Sequence, residues 1–383
     1  MDIALSEEQR LLREGVRRLL DARYDAQSRA ARAAAPPDSF DHALWQEFAE
    51  LGWLSLAVPE ALGGSGLGAV ETVLVMEGFG RALAVEPYLP TAVLGVGLLL
   101  RAGTEGQQRD VLPRVADGSA RLAFAYAEPQ ARYDVFDVAT EGQACADGWV
   151  LRGHKSVVLG APAADYLIVS ARVTGDRRDP SRLALFLLPR GAPGLTLRPY
   201  RLVDGQIAAE VVLDGVAVGA DALMATGEPA SAAIEDAIDQ AAVAVAAEAV
   251  GAMERAIEIT REHLRTRVQF GRPLAAFQVL RHRLVDMFIA TEEARSLVHR
   301  AAALLDDAAA GPAQRRRAVS AAKVQAGEAG RVVGEGAVQL HGAIGVADEH
   351  AIGQHLKRLI AADRLFGDAD HHLGRFAALG TER

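Results

Sequence analysis

Among 383 residues there is one cysteine, Cys145. A single thiol excludes an internal disulfide, a cysteine-based zinc site and a cysteine-pair redox motif, and it fits a reducing, cytoplasmic setting. Lysine is also scarce, occurring only at Lys155, Lys323 and Lys357 while arginine and alanine abound, which reads as coding bias and not as function. Positive charge is in deficit: 41 Lys and Arg against 50 Asp and Glu give a formal net charge of -9. That balance argues against non-specific binding to nucleic acid or to an anionic membrane. No run of about 18 uncharged apolar residues occurs, and the apolar segment 92–100 is too short for membrane insertion. The opening residues, MDIALSEEQRLLREGVRRLL, place acids ahead of bases in an amphipathic pattern, unlike a secretory signal. Metal motifs are missing too. His371 and His372 are adjacent, so on a helix they point about 100° apart, and His350 beside Glu349 belongs to no H-E-x-x-H pattern. The expectation for these histidines is a solvated helix face, with no metal.

What is present is half hydrophobic, enough for two or three domains with their own cores. From residue 5 to about 117 the period is helical. Leu11, Leu12, Val16, Leu19 and Leu20 share a face behind Ser6, an N-cap followed by the acids Glu7 and Glu8. Further helices are expected over 43–51 and 69–83. Between them, the glycines of residues 63–68 lack the Lys-Ser/Thr ending of a P-loop and the G-x-G-x-x-G order, so positive-φ turns are expected there instead of a phosphate cradle.

Near Arg121 the period becomes alternating. Short segments such as GWVLRGHKSVVLG, DYLIVSARV and RLALFLLPR, separated by Gly, Pro and Asp turns, predict a β-barrel or sandwich ending near Ala222. From Glu228 the helical signal returns, first in an Ala- and Val-rich helix over 230–266 whose small side chains allow close packing. Three more helices complete a four-helix bundle, one striped by Phe277, Leu280, Leu284 and Phe288, one over 318–340 and one after Asp368. The domains expected are an N-terminal α-helical domain, 1–119, a middle β domain, 120–224, and a C-terminal bundle, 225–383, with no low-complexity linker beyond 30–37.

One stretch of the bundle, RVQFGRPLAAFQVLRHRLVDM from Arg267 to Met287, carries ligand chemistry. It predicts a helix end, a Gly-Pro break and a new amphipathic helix. The Arg267 guanidinium suits a phosphate, Phe270 can stack on a purine, and the Gln278 amide can bind a polar edge. An adenine dinucleotide would satisfy all three; a helix hairpin with a solvated arginine and a buried phenylalanine is the alternative on spacing alone.

This stretch resembles a motif of the acyl-CoA dehydrogenase family, flavoenzymes that desaturate acyl-CoA thioesters. The likeness extends through LWQEFAELGWLSLAVPEALGGSGLG, EGFGRALAVEPYL, AYAEP, the turn Gly153–Lys155 and QLHGAIG, in order along the chain. It implies the acyl-CoA dehydrogenase-like fold, α-helical, then β-barrel or sandwich, then four-helix bundle, with FAD as cofactor and an electron-transfer acceptor as partner. In the family the flavin is shared between two subunits, one cradling its ring and the thioester, the other holding its adenosine diphosphate (ADP) end through R-x-x-F-G and Q-x-x-G-G motifs. Carried over, Arg267 meets the pyrophosphate, Phe270 packs on the adenine side, Gln278 binds a polar group, and Gln339 and Gly342 approach the dinucleotide. Ala343 replaces a glycine of the second motif.

The ring-holding half departs from the pattern. The family's Thr-Glu-Pro-x-x-Gly-Ser-Asp reads Ala127-Glu128-Pro129-Gln130-Ala131-Arg132-Tyr133-Asp134, so a hydroxyl is missing at Ala127 and Tyr133 stands at a substrate-contacting serine. Trp-Ile-Thr aligns with Val157-Val158-Leu159. The base, the glutamate of Tyr-Glu-Gly in most members, aligns with Gly367 in Phe366-Gly367-Asp368, and the base position used by a subset aligns with Ala241. Asp368, one residue late, and Glu248, two turns past Ala241, are the substitute candidates, with Asp368 otherwise an N-cap and Glu248 otherwise paired with an arginine. Asp239 aligns with an aspartate that helps bind the CoA portion, although Ala242 stands where its companion arginine would be.

Relatives with F-G-D in place of Y-E-G are base-lacking subunits of α2β2 enzymes that act on bulky acyl-CoA in steroid side-chain degradation. The resemblance therefore implies a subunit that supplies the ADP-holding motif to a homologous, complete partner in a heterotetramer. The alternatives are a self-sufficient homo-oligomeric flavoenzyme with a relocated base acting on an unusual acyl or carrier-protein thioester, and a flavin-free scaffold.

Overall fold

The computed structural model describes residues 5–25, 28, 31–32, 35–36, 39–347 and 349–380. Half of the expected linker at 30–37, and the first four residues of the amphipathic N-terminal segment, lie outside the described residues.

The chain folds into two compact units that cut across the three-part division: 1–33, 68–84 and 242–383 form the first, 34–67 and 85–241 the second. The second unit holds helices α2 (His42–Glu50), α4 (Val96–Ala102) and α5 (Glu105–Ala116). It also holds all eight strands of one sheet: β1 (Leu122–Ala125), β2 (Glu141–Cys145), β3 (Gly148–Leu159), β4 (Tyr166–Arg172), β5 (Leu183–Pro189), β6 (Leu195–Arg201), β7 (Ile207–Gly219) and β8 (Leu223–Thr226). The order is β6-β7-β3-β2-β4-β5-β8, with β1 parallel to β4. The expected barrel or sandwich is, in its hydrogen bonding, a single open sheet. Its inward residues, Leu151, Val158, Leu167, Phe186, Leu188, Val211 and Val216, form one core, as alternation of side chains across a strand requires. The glycine run that follows α2 supplies turns, Gly63 and Gly66 having φ of 87° and 60°.

A buried ion pair pins the start of this sheet. Lys155 Nζ lies 2.7 Å from Glu128 Oε1 and donates to Ser170 Oγ at 3.0 Å. Glu128 also accepts the N–H groups of Ala139 and Thr140 at 2.7 and 3.0 Å, tying the AYAEP turn to the next loop. Burial alone would raise this carboxyl, but the Lys155 ammonium and hydrogen bonds from Lys155, Thr140 and Gln130 bring it down to about 2.

The first unit is helical, with α1 (Glu7–Arg23), α3 (Ala69–Ala82), most of α6 (Glu228–Thr266), α7 (Gln278–Asp306), α8 (Pro312–His341), α9 (Ala351–Arg364) and α10 (Ala369–Ala378). Ser6 caps α1 in a reciprocal capping box with Gln9. Among the described residues the C-terminal region has five helices instead of the four expected, α9 being the addition. The Ala-rich face of α6 does pack closely: a methyl group on Gly80 would overlap the Glu248 carbonyl, and one on Gly251 the Glu77 carbonyl, so α3 and α6 touch backbone to backbone. Beside that crossing, Arg81 binds Glu258 at 2.6 Å and Arg295 binds Glu77 at 2.6 Å. Among the described residues no helix is long and apolar enough to cross a membrane.

Candidate functional site

The chain leaving α6 does not run directly into a new helix. Arg267 is followed by a two-residue-per-strand hairpin, Val268–Gln269 against Arg272–Pro273, whose loop residues Phe270 and Gly271 both have positive φ, 51° and 74°. Two successive positive φ values match the right-handed twist of a hairpin, but a bulky aromatic in this region is uncommon. The strained turn projects Phe270 into solvent, 89% exposed. Phe277 meets it edge-on at 6.1 Å, and the Arg272 guanidinium lies 4.2 Å over the Phe277 ring. Arg267 braces the hairpin from its base, its carbonyl accepting the Leu274 N–H at 2.9 Å while its side chain is exposed. Gln278, also exposed, opens α7. The structure thus brings Arg267, Phe270 and Gln278 into one exposed hairpin and helix start.

Gln339 lies exposed on the last turn of α8. That helix stops at Gly342, whose φ of 67° and ψ of -144° lie outside the regions open to residues with a Cβ. Gly342 donates its N–H to the Val338 carbonyl, and a tight 3-10 turn, Gly342–Val346, follows. His263, one turn before Arg267, stacks on His341 with ring centroids 4.3 Å apart, so the two motif segments meet through imidazoles. Arg272, His263 and His341 carried no expectation from the sequence, and Phe277, expected in an apolar helix stripe, instead precedes the helix and packs on Phe270 and Arg272. The four-residue spacing of His263 and Arg267 across the end of α6 was the available signal.

The position that aligns with the family's glutamate is closed. Phe366 and Gly367 have φ of 59° and 104°, and a Cβ on Gly367 would come 2.6 Å from His371 Cδ2 and 2.8 Å from His372 Nε2. Asp368 caps α10, accepting the His371 N–H at 3.0 Å, and binds Arg364 at 2.7 Å. Glu248 meets Arg358 at 2.6 Å, both nearly inaccessible at 2% and 1% exposed. Both substitute candidates therefore have structural partners.

The expectation of solvated histidines is wrong for His372. Its ring is buried, 3.0 Å from the Phe366 carbonyl and 3.3 Å from Ser320 Oγ, and burial lowers it to about 3. Among the described residues no cluster of His, Cys, Asp or Glu could hold a metal.

The remaining candidates lie in the other unit, where Asp239 is buried on the first part of α6 and Tyr133 is half-buried in the turn after Pro129. Of Val157, Val158 and Leu159 only Val157 is exposed. It occupies a β-bulge at φ 51°, and its N–H is already bound by the Tyr200 hydroxyl at 3.1 Å, which donates in turn to Glu210 at 2.8 Å.

These residues suit FAD unequally. An exposed guanidinium, aromatic ring and two amides beside a glycine-only turn fit a pyrophosphate and an adenosine. The bulge at Val157, with its amide engaged and no hydroxyl at Ala127, does not offer the hydrogen bonds an isoalloxazine ring needs.

Three family descriptions match in chain order: the acyl-CoA dehydrogenase N-terminal domain over residues 6–119, the middle domain over 123–216 and the C-terminal domain over 231–378. Acyl-CoA dehydrogenase FadE12 of Mycobacterium tuberculosis is 32% identical over 315 residues, covering 81% of this chain and 80% of that protein. A chain of the Tcur3481-Tcur3483 steroid acyl-CoA dehydrogenase, solved as a variant, superposes with a TM-score of 0.87 at 33% identity, covering 98% of each chain. A chain of the ChsE4-ChsE5 complex from Mycobacterium tuberculosis superposes with a TM-score of 0.89 at 27% identity, covering both chains fully. The chain belongs to the acyl-CoA dehydrogenase family, FAD-dependent oxidoreductases that act on the CH–CH bond of acyl-CoA thioesters.

Proposed function

We propose that this chain is the subunit of an α2β2 acyl-CoA dehydrogenase that holds the ADP end of FAD for a homologous partner and carries no catalytic base of its own. The observation that carries this reading is the closed Phe366-Gly367 corner, where the family's glutamate has given way to a glycine at φ 104° walled by His371 and His372. Bound FAD supplies the acceptor for the β-hydride of the thioester. Arg267 neutralises pyrophosphate charge through its planar fork, Phe270 packs against the adenine, and Gln278 and Gln339 offer amide donors to the sugar and phosphate edges. Gly342 lets the backbone approach without a side chain in the way. The α-proton is taken by a carboxylate of the partner, in whose cleft the acyl group lies.

Two further observations support a second chain against this face. Phe270 and Val346, on the two clamp segments, are 89% and 73% exposed, and Val268, Val279 and Ile344 are at least half exposed. Large apolar side chains gathered on binding segments are a mark of interaction surfaces. The ChsE4-ChsE5 structure is itself a complex of two named chains, the Tcur3481-Tcur3483 enzyme also carries two names, and the steroid named for the latter makes a bulky acyl-CoA the substrate class expected here. Electrons would pass from the flavin to a separate electron-transfer acceptor.

The missing base is tested by α-proton exchange. The purified chain, supplied with FAD, is incubated with short-chain and steroid-side-chain acyl-CoA in D2O and the thioester is weighed by mass spectrometry. No deuterium above the uncatalysed rate is expected. Incorporation that disappears in Asp368→Asn or Glu248→Gln would show a working base on this chain and would sink the reading.

A further inference from the structure

The two segments of the proposed clamp stand far apart in sequence, and what joins them is a cluster of three imidazoles. His263 lies one turn before Arg267, and its carbonyl accepts the Arg267 N–H at 2.9 Å. His341 stands between Gln339 and Gly342. The His263 and His341 rings stack with centroids 4.3 Å apart and planes inclined by 27°, and His350, the residue that caps α9, meets His341 at 4.9 Å.

The tautomer of His341 follows from its surroundings. Its Nδ1 lies 2.8 Å from the Ala337 carbonyl, which can only accept, so Nδ1 carries the proton. The residue is 6% exposed and, among the described residues, its Nε2 has no hydrogen-bond partner. A second proton would place a donor on Nε2 with no described residue to receive it, in a buried site beside two other imidazoles. The groups acting on the cluster are His263 and Arg267 from α6 and its end, His341 from α8 and His350 at the start of α9. Among the described residues no carboxylate acts on His341 or His263. Among the described residues, the stack is therefore a contact between imidazoles with no carboxylate to compensate their protonation.

We propose that His341 is a positioning residue: in its neutral form it locks the Gly342–Val346 turn to the Arg267 end of α6, and protonation releases the two halves of the clamp from one another. This rests on the assignment of Arg267, Phe270, Gln339 and Gly342 to the ADP end of FAD. Burial lowers His341 from 6.5 to about 4, the Ala337 carbonyl opposing and His263 and His350 adding to the fall, and burial lowers His263 as well. A basic group with a depressed folded pKa favours the folded arrangement in full above its ordinary value. The lock is therefore intact above 6.5 and weakens as pH falls from 6.5 toward 4.

The experiment is hydrogen–deuterium exchange with mass spectrometry on the full chain, in its native complex, corrected for intrinsic exchange rates. In wild type, protection of the Gly342–Val346 and Arg267–Gly271 amides is expected to drop about tenfold or more between about pH 7.5 and about pH 5. His341→Gln keeps an amide that can bond the Ala337 carbonyl but cannot take a charge, and its protection is expected to be the same at both pH values. Should it fold poorly, His263→Gln, which removes the stacked neighbour, is expected to lower protection at both. A wild-type turn whose protection does not change with pH, or the same loss in His341→Gln as in wild type, overturns the proposal. A fluorescence titration with FAD at the higher pH separates this failure from failure of the clamp assignment. Arg267→Ala is expected to weaken FAD binding by about tenfold or more, the loss of a charge-assisted hydrogen bond. Unchanged affinity would refute the clamp assignment, and with it this role for His341, even if the exchange data showed the imidazole lock. Weakened affinity with pH-independent exchange would refute only the role of His341.

Discussion

Gly367→Glu, which returns a carboxylate to the family's base position, is expected to yield a destabilised protein with no gain of desaturase activity. Gly367 sits at φ 104°, where any side chain is strained by about 1–3 kcal/mol. Its Cβ would then lie 2.6 Å from His371 Cδ2 and 2.8 Å from His372 Nε2. His372 cannot swing aside without leaving the Phe366 carbonyl and Ser320, so the overlap adds about 1–3 kcal/mol of overpacking. The sum, about 2–6 kcal/mol, is readable by urea unfolding of the purified chain. Gly367→Ala should show most of it, because the Cβ and not the carboxylate is at fault. A Gly367→Glu protein as stable as wild type that desaturates acyl-CoA would contradict this account of the corner.

The second large effect is expected at the buried pair of α6 and α9. Glu248→Ala leaves the Arg358 guanidinium, 1% exposed, without the carboxylate 2.6 Å away and with the Ala84 carbonyl at 3.4 Å. Removing one member of a buried ion pair costs about 3–5 kcal/mol. Glu248→Gln keeps the shape but not the charge and should still lower Tm measurably. The same variants weigh the structural role against the catalytic one. A general base lost at Glu248 would cost about a hundred- to ten-thousand-fold in turnover in a protein that folds normally. The geometry predicts the reverse: a lower Tm, and turnover per flavin close to wild type in whatever complex still assembles.

The fold was legible where local chemistry and periodicity agreed. Ser6 and its acidic first turn announced α1, and the Ala-rich run announced a closely packed helix, which Gly80 and Gly251 turn into backbone contact. The break after Arg267 was not legible as a hairpin. Two-residue hairpin loops are usually signalled by Asn-Gly or Gly-Gly, and here a strained Phe270 takes the first position. Helix α9 escaped notice because two of its buried positions are His355 and Arg358, which interrupt the apolar stripe that periodicity relies on. For His371 and His372 the 100° step was correctly drawn, but it also places one ring inward, where Ser320 of a distant helix waits. The residues proposed for the clamp stood out through residue type and spacing. The commitments of Glu248 and Asp368 did not, since an ion pair such as Glu248–Arg358 depends on how helices pack and not on neighbours in sequence.

The central claim, that this chain holds one end of a flavin whose reactive ring belongs to a partner, is tested most directly by native mass spectrometry. The chain is purified under mild conditions from its own cells, and chains and flavins are counted in the intact particle. The account predicts two copies of this chain, two of a homologous chain bearing the catalytic carboxylate, and two FAD in all. A particle made of this chain alone, with one FAD per chain and desaturase activity on an acyl-CoA, would contradict it.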